Sequence, residues 1–160
     1  MALGIGEVLP SNYIPLDDFH GYEIVSMQYR ILTPANSSTT YPAFNILFKD
    51  ESGNLYLEEF ALTRNSGADG YYMEVSNVKV FDLNSLGGIP SSMVIPPYTA
   101  SNYAFFAVGN VLYMLDKDTQ ILSKYLEFDA PITAMDAENM MQNQYVAVGL
   151  ETENFMLSIL

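Results

Sequence analysis

Ala107-Val108-Gly109 returns as Ala147-Val148-Gly149, forty residues on, and Tyr113-Met114-Leu115 is echoed by Phe155-Met156-Leu157 at an offset of 42. The two-residue slip falls in a longer turn, Leu150 to Asn154. A weaker echo lies upstream, where Gly53-Asn54-Leu55-Tyr56-Leu57 resembles Gly109-Asn110-Val111-Leu112-Tyr113 out of register. A recurrence near 40 residues is the period of a four-stranded propeller blade, which cannot bury both faces alone and must stack on neighbours. The repeat therefore predicts an all-β chain of antiparallel meander sheets, a partial β-propeller of about three to four blade-like units, with a β-sandwich as the alternative.

Propellers typically have four to eight blades, so 160 residues supply only part of an ordinary ring. The expectation is a single all-β unit over 1–160, a fragment of a larger propeller or an oligomer that completes one. Within it, 1–98 is read as irregular blades and 99–160 as a regular blade plus the start of the next. The apolar run Met156-Leu-Ser-Ile-Leu160 reads as an edge strand open to pairing.

Local patterning agrees. Twelve Tyr and nine Phe, with apolar residues alternating with polar ones, point to strands. In 22–32, Val25, Met27, Tyr29 and Ile31 fall on one face and Ser26, Gln28 and Arg30 on the other, so the first set is expected inside and the second wetted. Phe44–Phe48, a turn over 49–54 and Leu55–Leu62 make a hairpin in which Gly53 can take positive φ. The run 71–83 changes its alternation near Ser76-Asn77, the mark of a bulge or a tight bend. In the second half, 103–108, 111–115 and 121–128 form a meander through turns at Gly109-Asn110 and 116–120. Pro131–Met135 follows as its fourth strand, the alternative being a short helix over 133–142 capped by Thr133. Strand character resumes from Gln144.

The residues Asn102-Tyr-Ala-Phe-Phe-Ala-Val-Gly-Asn-Val-Leu-Tyr-Met-Leu-Asp116, followed by Pro131-Ile-Thr-Ala-Met135, resemble the C-terminal region of the PKD-like family lipoproteins of Bacteroidetes. There a strand pair of the form YxxGNxxY..D and an ITAM strand recur in propeller-type blades. The resemblance covers 102–135, with 144–160 as the start of a further blade. It implies a protein of the cell surface or periplasm, encoded beside glycan-uptake systems and serving a binding role. The family's leader, lipid-attachment cysteine and PKD-like module have no counterpart in these residues, and the family supplies no catalytic residue to carry over.

Composition excludes much chemistry. Six Lys and Arg against 19 Asp and Glu leave a net charge of −13, which opposes a grip on nucleic-acid phosphates or anionic lipid heads. Without cysteine there is no disulfide, thiolate nucleophile or Cys-ligated metal. The single histidine, His20, leaves no His pair for a metalloprotease; as a base it would need Asp17 or Asp18, and beside Gly21 it reads more simply as a turn residue. The first ten residues lack the basic start of a signal peptide, and no apolar run is long enough to span a membrane. The glycine steps Gly87-Gly88 and Gly109-Asn110 lack phosphate-loop spacing, and Asn36-Ser37-Ser38 matches the glycosylation triplet.

Asp116 and Asp118 form a D-x-D pattern at a hairpin tip, a weak candidate for Ca²⁺, whose plainer role is to bond the turn's own backbone. The tip Asp50-Glu51-Ser52-Asn54 has the same two readings. Asp17-Asp18, Glu58-Glu59 and Asp136/Glu138 are carboxylate clusters; a glycosidase needs two carboxyls roughly 5–10 Å apart across a cleft. Tyr71 and Tyr72 beside Gly70, and Tyr98 and Tyr103 around Pro96-Pro97, are the candidate ligand-binding residues, since a tyrosine ring joins apolar area to a polar tip. Core packing is the competing role for each.

The function read from these features is a non-catalytic binding module for a glycan or a protein partner, with no cofactor. The alternatives are an assembly subunit, homo-oligomeric or docking on other chains by strand addition, and a carboxylate-based glycan hydrolase.

Overall fold

The computed structural model describes residues 22–32, 41–67, 70–96, 102–140, 143–152 and 155–159. Eleven strands form three antiparallel sheets, each a meander in chain order. The first sheet holds β1 (Glu23–Leu32), β2 (Tyr41–Lys49), β3 (Leu55–Gly67) and β4 (Gly70–Asp82). The second holds β5 (Ser92–Val94), β6 (Tyr103–Val108), β7 (Val111–Asp116) and β8 (Ile121–Glu127). The third holds β9 (Ile132–Met140), β10 (Asn143–Leu150) and β11 (Phe155–Ile159). Among the described residues there is no α-helix, only a 3₁₀ turn at Asn84–Leu86, and no closed barrel.

The sheets stack in chain order. On β6, Ala104 and Phe106 enter a core shared with Leu47, Leu55, Leu57 and Phe81 of the first sheet. The alternate residues Phe105 and Ala107 enter a second core with Ile132, Val146 and Val148 of the third sheet. All four β6 residues are fully buried. The middle sheet is thus covered on both faces, the physical reason its second strand reads as the unbroken apolar run YAFFAV rather than an alternation. The chain is thus all-β, its three antiparallel meanders packed face to face in succession, an arrangement that both a partial blade-like series and a β-sandwich accommodate. The first strands gather together, with β5 lying against both β1 and β9. Gln28 on β1 fastens that meeting: its Nε2 donates to the Ile95 carbonyl at 3.2 Å, and its Oε1 accepts the Ile95 N–H at 2.8 Å.

The repeat has a structural meaning. Leu47 lies opposite Leu57, Ala107 opposite Leu112, and Ala147 opposite Leu157, each pair joining the second and third strands of its sheet. Ala107 and Ala147, forty residues apart, both lie on the second strand of their sheet, Ala107 one pair and Ala147 two pairs from the closing pair of the hairpin. The third strands do not keep that offset, because Leu112 corresponds to Leu157, 45 residues on. The likeness of Tyr113-Met114-Leu115 to Phe155-Met156-Leu157 at 42 is thus not a structural equivalence. The upstream echo lies in the equivalent hairpin but is out by one residue, since it would match Leu57 to Tyr113 where the structure matches it to Leu112. On a strand one residue reverses the face.

Other expectations are corrected. Val25 packs on the inner core as expected, but beyond the bulge at Ile24–Ser26 the faces of β1 are inverted: Met27, Tyr29 and Ile31 are exposed, whereas Arg30 is buried and Ser26 and Gln28 half-buried. The polar set faces in because charged and amide partners wait there. The Pro131–Met135 region is strand, not helix, but it opens the third sheet instead of completing the second. The second sheet's remaining strand is β5, which precedes residue 98 and so crosses the expected division at 98/99. The bulge near Ser76-Asn77 is present, as a register shift opposite Glu59–Ala61. At the β6–β7 hairpin Gly109 takes φ 59°, at the first of two turn residues, where a side chain would be strained.

Candidate functional site

The inverted β1 leaves an apolar surface on the side of the first sheet facing away from the second. Cross-strand pairing sets Tyr29 opposite Phe44 and Phe44 opposite Phe60, with ring centroids 5.7 Å apart at each step. A second row runs Tyr22, Phe48, Tyr56, the rings stacked at 5.1 and 5.5 Å. Between the rows Met27, Ile46, Glu58 and Val80 follow one another across the four strands. Its centre is closed, with Ile46, Phe48 and Phe60 buried in a cluster of their own, and its margins on β1 and β4 meet solvent: Ile24 is 56% exposed, Met27 62%, Tyr29 55%, Val78 51% and Val80 52%. Exposed aliphatic side chains grouped on one sheet face in this way are uncommon on a monomer. At one end it dips into an open hollow of about 360 Å³ lined by Tyr22, Phe48, Asp50, Tyr56, Glu58, Val78 and Val80.

The opposite face of the same sheet holds a buried charge cluster. Glu59 Oε2 lies 3.1 Å from Arg30 Nη1 and 2.8 Å from Lys117 Nζ, and all three side chains are nearly closed to solvent. Lys117 comes from the β7–β8 turn of the second sheet, so the cluster ties two sheets together. Burial, helped by the Arg30 charge, pulls the Lys117 ammonium down to about 8, against the upward pull of Glu59. Burial likewise lowers Arg30, with Glu59 opposing. Asn45, fully buried between Gln28 and Glu59 in the cross-strand row, has no hydrogen-bond partner for its amide among the described residues. No sequence signal separates Lys117 from an ordinary turn lysine, or Arg30 from a wetted strand residue, because each partner is far along the chain.

The predicted sites fare differently. Tyr98 lies outside the described residues, as do the side chains of Tyr71 and Tyr72; the backbones of these two pair with Ser66 and Asn65 at the far end of the β3–β4 hairpin. Tyr103 is half-buried and packs on the core between the second and third sheets. Among the tyrosines whose side chains are described, Tyr22 and Tyr29 are exposed. Asp116 Oδ1 accepts the N–H groups of Asp118 at 3.0 Å and Thr119 at 3.3 Å, and Asp118 Oδ2 accepts from Asn102 Nδ2, so this tip bonds its own turn. At the other tip Asp50 accepts from the Ser52 and Asn54 backbones and from the Asn54 amide. The Asn54 amide foremost holds its carboxyl below the usual range. No group of three or more His, Asp or Glu suited to a metal occurs among the described residues.

Glu58 and Glu59 point to opposite faces of the sheet, so they do not share a cleft. Asp136 and Glu138 are both exposed on the outward side of β9. His20, Asp17, Asp18 and Asn36 lie outside the described residues. No helix among the described residues is long and apolar enough to cross a membrane.

Fold and site together define an all-β protein of three stacked antiparallel meanders, the first of which carries exposed apolar side chains on its outer face. No protein-family model matches the chain, and no curated protein and no solved structure matches it.

Proposed function

We propose that the protein is a non-catalytic binding module of the cell surface or periplasm, and that its partner docks on the outer face of the first sheet. The observation that carries this is the exposure of Ile24, Met27, Tyr29, Val78 and Val80 on one sheet face, beside two rows of aromatic rings. The location rests on the resemblance to PKD-like family lipoproteins.

The face favours a protein partner over a glycan. Four of its exposed side chains, Ile24, Met27, Val78 and Val80, are aliphatic, whereas sugar sites pair isolated rings with many polar groups. The exposed rings of Tyr22 and Tyr29 favour the glycan as second reading.

The test has two arms, each run with the wild type and with a Met27→Glu/Val78→Glu double variant. Binding of the apolar dye anilinonaphthalene sulfonate reports the open face; a strong signal in the wild type that is lost in the variant is expected. Equal signals would overturn the reading. Electrophoresis through gels holding soluble polysaccharides reports the glycan version. Unretarded migration of the wild type is expected, and retardation lost on Tyr29→Ala would replace the protein partner by a glycan.

A further inference from the structure

We propose that the hollow at the end of this face is a binding site for an organic cation, and that the cation is a lysine or arginine side chain of the docking partner. The inference rests on the docking reading above and names the chemistry of the residue that anchors the partner.

The lining of the hollow has two parts. Tyr22, Phe48, Tyr56, Val78 and Val80 give it apolar walls, Asp50 and Glu58 supply carboxylates, and none of its lining residues is basic. Strand geometry explains the mixture. Glu58 stands between Ile46 and Val80 in one cross-strand row and so shares the outer face with them, while Asp50 opens the turn from β2 to β3. The Asp50 carboxylate accepts from Asn54 Nδ2 at 2.9 Å, and this bond foremost holds the carboxyl below its usual range and keeps it charged. Glu58 lines the hollow although it is only 7% exposed. A cation that enters therefore meets a carboxylate with little water around it, where attraction is weakly screened.

The rings add to this attraction. The stack Tyr22–Phe48–Tyr56 ends at Tyr56, whose face away from Phe48 carries no further ring among the described residues. An aromatic face is the negative part of the ring's quadrupole and draws a cation. A bare metal ion suits the lining poorly, since calcium takes roughly six to eight oxygens and the valines and Phe48 offer none from their side chains. At about 360 Å³ the hollow has the size of a small organic ligand's site. A lysine or arginine side chain matches both parts, its apolar stem lying along Val78 and Val80 and its charged head reaching the carboxylates. The surroundings favour a side chain carried on a protein. Ile24 pairs with Phe48, Met27 shares the row of Glu58, and both are exposed, so residues flanking the cation meet aliphatic surface. The net charge of −13 steers a basic partner toward the chain.

Nuclear magnetic resonance of the whole chain, titrated with n-butylammonium and n-butylguanidinium chloride and with n-butanol as the uncharged control, provides the test. Both cations are expected to shift the amides of Tyr56, Glu58 and Val80 with half-saturation in the millimolar range, less tightly as sodium chloride rises, and butanol to shift none. Glu58→Gln should weaken this binding about tenfold through loss of a charge-assisted contact. Val78→Lys, at a position 51% exposed, places a competing ammonium in the hollow and should abolish it while leaving the core intact. A capped pentapeptide with one lysine flanked by valines should bind more tightly than n-butylammonium and lose that advantage on Met27→Glu. Absence of shifts, equal shifts by butanol, or binding indifferent to both variants overturns the site. A peptide no tighter than the free amine replaces the partner's side chain by a small amine. If the dye reports the open face while the cations fail to bind, this inference falls and the docking face stands; if the dye signal also fails, both fall. Cation binding without the dye signal overturns the docking partner and leaves the cation site alone.

Discussion

Lys117 Nζ stands 2.8 Å from Glu59 Oε2, and this bond joins the turn after β7 to the middle of β3 across the boundary between two sheets. Both side chains are almost fully buried, and the same carboxylate oxygen also takes Arg30. One anion thus holds two cations in a medium of low dielectric constant.

Removing the anion should cost more than removing an exposed one. Glu59→Gln leaves two buried cations facing a neutral amide, and a loss of about 3 kcal/mol is expected. Urea unfolding followed by far-ultraviolet circular dichroism measures it. The exposed pair Lys124–Glu127 is the control, and Glu127→Gln should leave the midpoint unmoved.

Lys117 also predicts how stability varies with pH. Its folded pKa, about 8, lies below the ordinary 10.5, so between those values the unfolded chain binds more protons than the folded one. Stability must therefore rise with pH through this window. From pH 7 to pH 9 the gain from this one group is about 1 kcal/mol. Lys117→Met, which cannot titrate, should flatten that rise, and unfolding midpoints at the two pH values provide the comparison.

Gln28 should behave as an inter-sheet clasp. Gln28→Ala strips both partners from the backbone of Ile95, which is wholly buried, and an unpaired buried amide costs about 2 kcal/mol. Hydrogen exchange of the Ile95 amide should accelerate in the variant, and unchanged protection would refute the role assigned to Gln28.

Two aromatic truncations should separate core from surface. Phe106→Ala opens a cavity between the first and second sheets and is expected to cost about 4 kcal/mol. Tyr29→Ala removes a ring that is 55% exposed, and the isolated chain should lose far less. Thermal unfolding of dilute protein gives both values.

Strands and their meander order were legible because alternation and turn residues are local signals. The hairpin through Gly109-Asn110, the bulge opposite Glu59–Ala61 and the presence of Ala107 and Ala147 each on the second strand of a sheet all follow from such signals. The Phe48–Tyr56 step of the second aromatic row could have been found by pairing the hairpin residues across the turn at 50–54.

What the chain's residues determined unaided is the β period, the turns and the unbroken apolar run of β6, because each depends on neighbours within a few positions. Tertiary structure alone decided which face of β1 looks inward, that β5 rather than β9 completes the second sheet, and that Lys117 is buried. In each case the deciding partner, Glu59 for Arg30 and Lys117 and Ile95 for Gln28, is distant in sequence. A strand's alternation reveals that it has two faces, and only what packs against them settles which one is covered.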